Sequence, residues 1–358
     1  MNGKKVDSTF EINVLQSTNS LKRLKDVILS YLDLSRQYMD RMTIYNYKGL
    51  ELDDVDVPYL LPEEVIYVSL EGSSFNVLNY IYEYEMVKWI KAGGYGKVYL
   101  GKHVLKKDKY AAIKKNDISN LTTDEIYSIS REALYLQSFT HKNIIRYINS
   151  YSYENHFFTV MDWAQGGELV NYLSEQKLLS EKESKRIFRQ IHDAVKYIHS
   201  RNVIHRDLKP NNILFLDTDR EHVVLIDFGI SGYNSGNVKE TIKAGTTKFI
   251  PPELAAGLTY SSSPKFDIWA LGVILYSMLF GNFPFDAPKD SEIINKIIKE
   301  NHKFPSNILI SKSGYNLING LLEKNSTLRI ELNDPLFNEW YEDTRYEFFN
   351  LVSLQSLL

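Results

Sequence analysis

The stretch His205-Arg206-Asp207-Leu208-Lys209-Pro210-Asn211-Asn212 sets a carboxylate, a lysine and an amide on one short segment. The apolar pair Val203-Ile204 leads into it, and Ile213-Leu214-Phe215-Leu216 leads out. Transfer of a phosphoryl group to a hydroxyl needs these three groups together. Asp207 suits orienting and deprotonating the hydroxyl, Lys209 suits neutralising charge on the moving group, and Asn212 suits holding a magnesium ion. Taken alone the octapeptide is also compatible with a solvated turn, a reading that needs the whole pattern to arise by chance.

Two further groupings carry compatible chemistry. Ala92-Gly93-Gly94-Tyr95-Gly96-Lys97-Val98 is a glycine-rich turn between strand-like runs. Such a turn brings backbone amides onto phosphate oxygens, because glycine permits close approach and unusual torsions. Glycine turns are common in hairpins, so the signal strengthens only with Val98 and with Ala112-Ile113-Lys114 one strand on. Lys114 on that strand can meet phosphate charge; the plainer alternative is a surface lysine run with Lys115, which its apolar flanks oppose. Asp227-Phe228-Gly229 follows the apolar run Val223-Val224-Leu225-Ile226. A carboxylate at a strand end beside glycine suits a metal ligand, and its position downstream of Asn212 suits a magnesium pair.

These residues need elements to hold them. From about Tyr82 the pattern runs strand, turn, strand, with Val87 to Ile90 leading into the turn and Lys109 to Lys115 following it. A helix is predicted from about Thr123 to Phe139, containing Glu132. Strands are predicted near Ile144 to Tyr151 and Phe157 to Trp163. Beyond Gly166-Gly167-Glu168 the chain reads as mainly helical, with Ser184 to Ser200 amphipathic. Upstream, Leu21, Leu24, Ile28, Tyr31, Tyr38, Met42 and Tyr45 step by threes and fours and predict one long amphipathic helix. Packing on a neighbouring domain is favoured for it over a dimerising coiled coil, because Ser35 and the tyrosines weaken a coiled-coil seam. Residues 49 to 80 carry acidic Glu51 to Asp56, two prolines and strand-like Val65-Ile66-Tyr67-Val68, and suggest a structured extension.

Length and composition bound the rest. The 358 residues suffice for two or three domain-sized units. Hydrophobic content of 44% and charged content of 24% are ordinary for a soluble globular protein. A net charge of −3 implies no general attraction to nucleic acid or anionic membrane. The chain has no cysteine, which removes thiolate catalysis, disulfides and cysteine-ligated zinc. The expectation is a protein of the cytoplasm, with the nucleus left open, and with neither nucleic acid nor membrane as partner.

With the glycine-rich turn, Ala112-Ile113-Lys114, His205-Arg206-Asp207, Asn212, Asp227-Phe228-Gly229, Pro251-Pro252-Glu253, Asp267-Ile268-Trp269 and Arg329 in place, the chain resembles the eukaryotic protein kinases from about Tyr82 to Tyr341. The resemblance implies an α+β, bilobal protein kinase fold. Its parts are a partly helical N-terminal extension (1–81), a small mostly-β N-lobe with one main helix (82–163), a larger mostly helical C-lobe (164–341) and a short tail (342–358). It also implies ATP and Mg2+. Lys114 pairs the nucleotide phosphates and is held by Glu132; Asp207 is the base, Lys209 contacts the transferring phosphate, and Asn212 and Asp227 ligate magnesium. Gly93, Gly94 and Gly96 form the phosphate turn, and Ile90, Val98, Ala112 and Leu214 sandwich the adenine. Backbone groups of Asp162 and Ala164 bond its edge, Met161 guards the rear of the pocket, and Glu168 completes the nucleotide set.

Lys209 resembles the residue of kinases that act on serine or threonine; tyrosine kinases usually show Ala-Ala-Arg there. Gly245 to Phe249 is similar to the segment that cups the residue after the acceptor, with Thr246 contacting Asp207 and Lys209. The run Lys265 to Tyr276, then Gly281-Asn282-Phe283-Pro284-Phe285, is similar to the calcium/calmodulin-dependent and AMP-activated kinase group. No calcium-binding loop accompanies it, so calcium regulation is not expected. Lys91 stands where the first loop glycine is usual, and Pro251 replaces the alanine of the Ala-Pro-Glu motif; both departures are expected to be tolerated. The expected partners are protein substrates, an upstream kinase acting on Thr241 opposite Arg206, and a dimer or docking partner through the N-terminal helix. The reading from a different class is a nucleotide-binding scaffold that signals by binding. It normally goes with loss of Lys114, Asp207 or Asp227, and none is lost.

Overall fold

Leu24, Ile28 and Leu29 line the buried side of helix α1 (Leu21–Tyr31), which Ser20 caps by accepting from the Arg23 N–H. The structure, a computed structural model, describes residues 20–46, 50–60, 66–69, 80–81, 84–92, 96–103, 106, 108–153, 155–233, 247–257 and 263–344. It divides into two compact units, one within Met1–Ile126 and Tyr147–Trp163, the other within Tyr127–Arg146 and Ala164–Leu358.

In the first unit the long helix expected from Leu21 to Tyr45 ends early, at Tyr31. The cause is local. Asp33 takes the left-handed conformation (φ 50°), the Leu34 N–H bonds the Leu29 carbonyl at 2.9 Å, and the Asp33 N–H bonds that of Ser30 at 3.3 Å. This is the paired-bond helix stop usually built on glycine, here with aspartate in the left-handed place. A 3-10 turn (Arg36–Tyr38) capped by Ser35 follows. Strand β1 (Thr43–Asn46) then pairs antiparallel with β2 (Ile66–Ser69). Leu24, Ile28 and Leu29 bury against Met42, Ile44, Leu52 and Val57, so the apolar stripe of α1 is spent on a core within the extension itself.

Strands β3 (Tyr80–Ile81), β4 (Tyr84–Ala92), β5 (Gly96–His103), β6 (Tyr110–Asp117), β7 (Tyr147–Tyr153) and β8 (His156–Asp162) make one antiparallel sheet in the order β3-β4-β5-β6-β8-β7. Ala111 and Ile113 of β6 bury with Tyr84, Phe158 and Val160 on one face. Strand side chains alternate, so Ala112, Lys114 and Asn116 lie on the other. Helix α2 (Thr123–Ser138) starts on a capping box: the Thr122 N–H bonds Glu125 Oε2 at 2.9 Å and the Glu125 N–H bonds Thr122 Oγ1 at 3.3 Å.

The second unit is helix-rich. After β9 (Gly167–Glu168) come α3 (Leu169–Gln176) and α4 (Glu181–Ser200), the latter capped by Ser180 and buried along Ile187, Phe188, Ile191, Val195 and Ile198. Strands β10 (Val203–Ile204), β11 (Ile213–Phe215), β12 (Val223–Leu225) and β13 (Gly232–Tyr233) form small antiparallel pairings, β12-β11-β9 and β10-β13. Helices α5 (Pro252–Ala255), α6 (Lys265–Phe280), α7 (Asp290–Lys299), α8 (Lys312–Leu321) and α9 (Pro335–Glu342) complete it. Helix α6 is apolar on all sides and buried from Phe266 to Phe280, as a helix at the centre of a unit must be. The α+β composition expected from the sequence is thus present, as a sheet-rich unit and a helix-rich unit. Among the described residues no helix is long and apolar enough to cross a membrane.

Candidate active site

Strand register brings together the residues of the first unit that the sequence suggested for a nucleotide. Gly96 pairs with Asn116, Val98 with Lys114, and Ala112 with Met161. Directly paired residues of antiparallel strands project to one side, so Gly96, Val98, Ala112, Lys114 and Met161 share the face opposite the apolar core. Ile90 sits in a register shift between Trp89 and Lys91, and Lys91 pairs directly with Val98. A side chain at Gly96 would run into the Lys115 carbonyl and, at 2.5 Å, Asn116 Oδ1. Glycine is therefore required there by the sheet's own packing, whatever it also does for phosphate.

In the second unit the loop after β10 brings its three polar side chains together. Asp207 Oδ2 accepts from Lys209 Nζ at 2.6 Å and from Asn212 Nδ2 at 2.9 Å, and Asn212 Nδ2 also reaches the Asp207 carbonyl at 2.8 Å. His205 is fully buried. Its Nε2 lies 3.2 Å from the Ile226 carbonyl, and its Nδ1 accepts the Asp207 N–H at 3.3 Å. Only the tautomer with hydrogen on Nε2 satisfies both. Leu214 pairs with Glu168 across β11 and β9, and Ala164 is buried nearby in sequence.

One residue whose role the sequence did not disclose holds this loop. Asp267, in the first turn of α6, accepts the His205 and Arg206 N–H groups at 2.8 Å each and His199 Nε2 at 2.7 Å. The clamp keeps Arg206 in the left-handed region (φ 69°), which costs a non-glycine residue about 1–2 kcal/mol. Burial alone would raise the Asp267 carboxyl, but the His199 hydrogen bond and charge, with the His205 N–H, hold it below the ordinary carboxylate range. A depressed folded-state value means the stabilisation is present above the unfolded value of about 3.9 and is lost as pH falls through the folded one. Asp267→Asn should therefore cost about 2 kcal/mol near neutrality. In thermal melts from pH 7 downward, the gap to the parent should close only below about pH 4. A gap independent of pH would contradict the ionised clamp.

Asp227 also adopts a left-handed conformation (φ 66°). Buried Phe228 anchors it, with ring centroids 5.2 Å from Phe139 and 4.9 Å from His205. Ser128 Oγ of α2 donates to the Gly229 carbonyl at 2.7 Å. A side-chain carbon at Gly229 would lie 3.3 Å from Asp227 Oδ1 and 3.6 Å from Glu132 Oε2, so the buried Glu132 carboxylate flanks this turn. Lys114 belongs to the first unit and Glu132 to the second.

The donor chemistry fits magnesium. The Asn212 NH2 is committed to Asp207, which leaves its oxygen for a cation, and Asp227 adds a carboxylate. Among the described residues no group of three or more His, Asp or Glu could hold a metal. Two protein oxygens suit an ion that keeps water and phosphate ligands. Gly93, Gly94, Thr241 and Thr246 lie outside the described residues.

The protein kinase domain family matches residues 84–341. A probable serine/threonine-protein kinase of Dictyostelium discoideum is 31% identical over 297 residues, covering 82% of this chain and 61% of that protein. Calcium-dependent protein kinase 4 of Plasmodium berghei is 33% identical over 264 residues, covering 72% of this chain and 49% of its own. The chain thus spans between about half and three fifths of the length of these relatives.

Proposed function

The chain belongs to the protein kinase family, and on that premise we propose that it transfers the γ-phosphoryl group of ATP to serine or threonine hydroxyls of protein substrates. The observation that carries this is the bonded set Asp207, Lys209 and Asn212. With Oδ2 committed to two donors, Asp207 presents Oδ1 to the acceptor hydroxyl and takes its proton. The hydroxyl oxygen bonds to the γ-phosphorus as the bond to the β-bridging oxygen breaks, and ADP leaves. Lys209, beside Asp207, meets the charge spread over the moving group. Lys114 and the Gly96 end of β5 hold the phosphates; Val98, Ala112 and Met161 supply apolar surface for the adenine. Asn212 and Asp227 would hold Mg2+, which when bound neutralises charge on the phosphate oxygens. The family uses ATP and typically Mg2+. The test is phosphorylation of a serine- and threonine-bearing peptide library, with Asp207→Asn as the control; labelling confined to tyrosine peptides, or none, defeats the reading.

Regulation by an upstream kinase rests on Arg206. Burial, and then the like charge of Arg131 on α2, lower its affinity for its proton. Two guanidinium groups held close enough to repel gain from an anion, and phosphothreonine at position 241 would supply one. Thr241→Ala is expected to lower kcat about tenfold, the worth of one charge-assisted hydrogen bond. An unchanged rate, with active parent unphosphorylated by mass spectrometry, defeats this part.

A further inference from the structure

Asn116 stands on the nucleotide face of β6, two residues beyond Lys114 and directly across from Gly96. It is completely buried. Neither its Oδ1 nor its Nδ2 has a hydrogen-bond partner. Buried amides are nearly always paired, and an apolar side chain of similar volume would avoid the loss. The other polar atom beside a Gly96 Cβ is the Lys115 carbonyl, on a strand that lies between two others. The amide is packed instead onto the backbone of Gly96, with Oδ1 2.5 Å from where a Gly96 Cβ would be. An unspent donor and acceptor lie against Gly96, where β5 begins.

We propose that Asn116 is a positioning residue for the nucleotide's triphosphate, acting through Gly96. When phosphate oxygens draw the backbone at Gly96 toward them, the Asn116 amide hydrogen-bonds that backbone and holds it in place. Without phosphates the amide goes unpaired. The inference rests on the ATP reading above and deepens it, since it separates the triphosphate from the nucleoside as the group being sensed.

Calorimetric titration of the whole chain with ATP and Mg2+, and separately with adenosine, tests it. In Asn116→Leu the Kd for ATP should rise about tenfold, one hydrogen bond's worth, while the Kd for adenosine stays within about twofold of the parent. Asn116→Ala, which cannot overpack the site, should show the same split if the leucine variant folds poorly. An equal change for both ligands, no change, or tighter ATP binding overturns the proposal and leaves Asn116 a purely structural residue. A parent chain that binds neither ligand overturns the ATP reading itself, and this inference with it.

Discussion

Replacing Asp207 with asparagine should lower kcat by about two to four powers of ten, roughly 3–5 kcal/mol of barrier, while the KM for ATP changes little. Asp207 sits between two donors, Lys209 Nζ at 2.6 Å and Asn212 Nδ2 at 2.9 Å. An asparagine there must turn its oxygen toward those donors, because its NH2 would face two other hydrogens. Its NH2 then occupies the place of Oδ1, which the proposed mechanism assigns to the acceptor hydroxyl, and a group proposed to take a proton presents one instead. Folding should be nearly unaffected, since the oxygen still accepts from both neighbours. The measurement is steady-state kinetics beside a thermal melt. A variant that melts like the parent yet turns over at the parent rate would remove the base from the mechanism.

Glu253→Ala should cost about 3–5 kcal/mol of stability, because it leaves the Arg329 guanidinium buried and unpaired. The pair is bidentate, Nη1 to Oε1 at 2.8 Å and Nη2 to Oε2 at 2.9 Å. The side chains are 0% and 7% exposed. Arg329 also donates to the Glu323 carbonyl at 2.8 Å and the Lys265 carbonyl at 2.9 Å, and its guanidinium lies 5.1 Å from the Trp269 ring centre. It therefore ties the start of α6 to the segment before α9. Against a total of about 5–15 kcal/mol for a folded domain, the loss is large. Denaturant titration should show the midpoint falling. The double variant Glu253→Leu with Arg329→Met should recover much of it, since an apolar pair leaves no orphan charge. A Glu253→Ala midpoint within error of the parent would show that water reaches the guanidinium.

Much of the site was legible because its residues are neighbours in sequence. Asp207, Lys209 and Asn212 lie within one turn of chain, so their types and spacing announce their chemistry before any fold is known. Lys114 was legible from its apolar flanks one strand after the glycine-rich turn. The clamp on that loop was not legible. Asp267 bonds the His205 and Arg206 N–H groups from 62 and 61 residues away; the sequence marked it as part of Asp267-Ile268-Trp269 but not what its carboxylate holds. Helix α1 erred for the opposite reason. Its periodicity continued past Tyr31, but Asp33 and Leu34 closed the helix with backbone bonds that a hydrophobic pattern does not record.

By itself the sequence determined which groups are available for chemistry, in what order, and the buried stripe of the amphipathic helices α1 and α4, because periodicity and short spacing follow from backbone geometry alone. Tertiary structure decided what holds those groups in place: the buried Asp267 under the Asp207 loop, the apolar core of the extension that absorbs α1, and the unpaired amide of Asn116 behind Gly96. Each depends on burial, which sets the strength of a charge or hydrogen bond and which arises only when distant segments exclude water together.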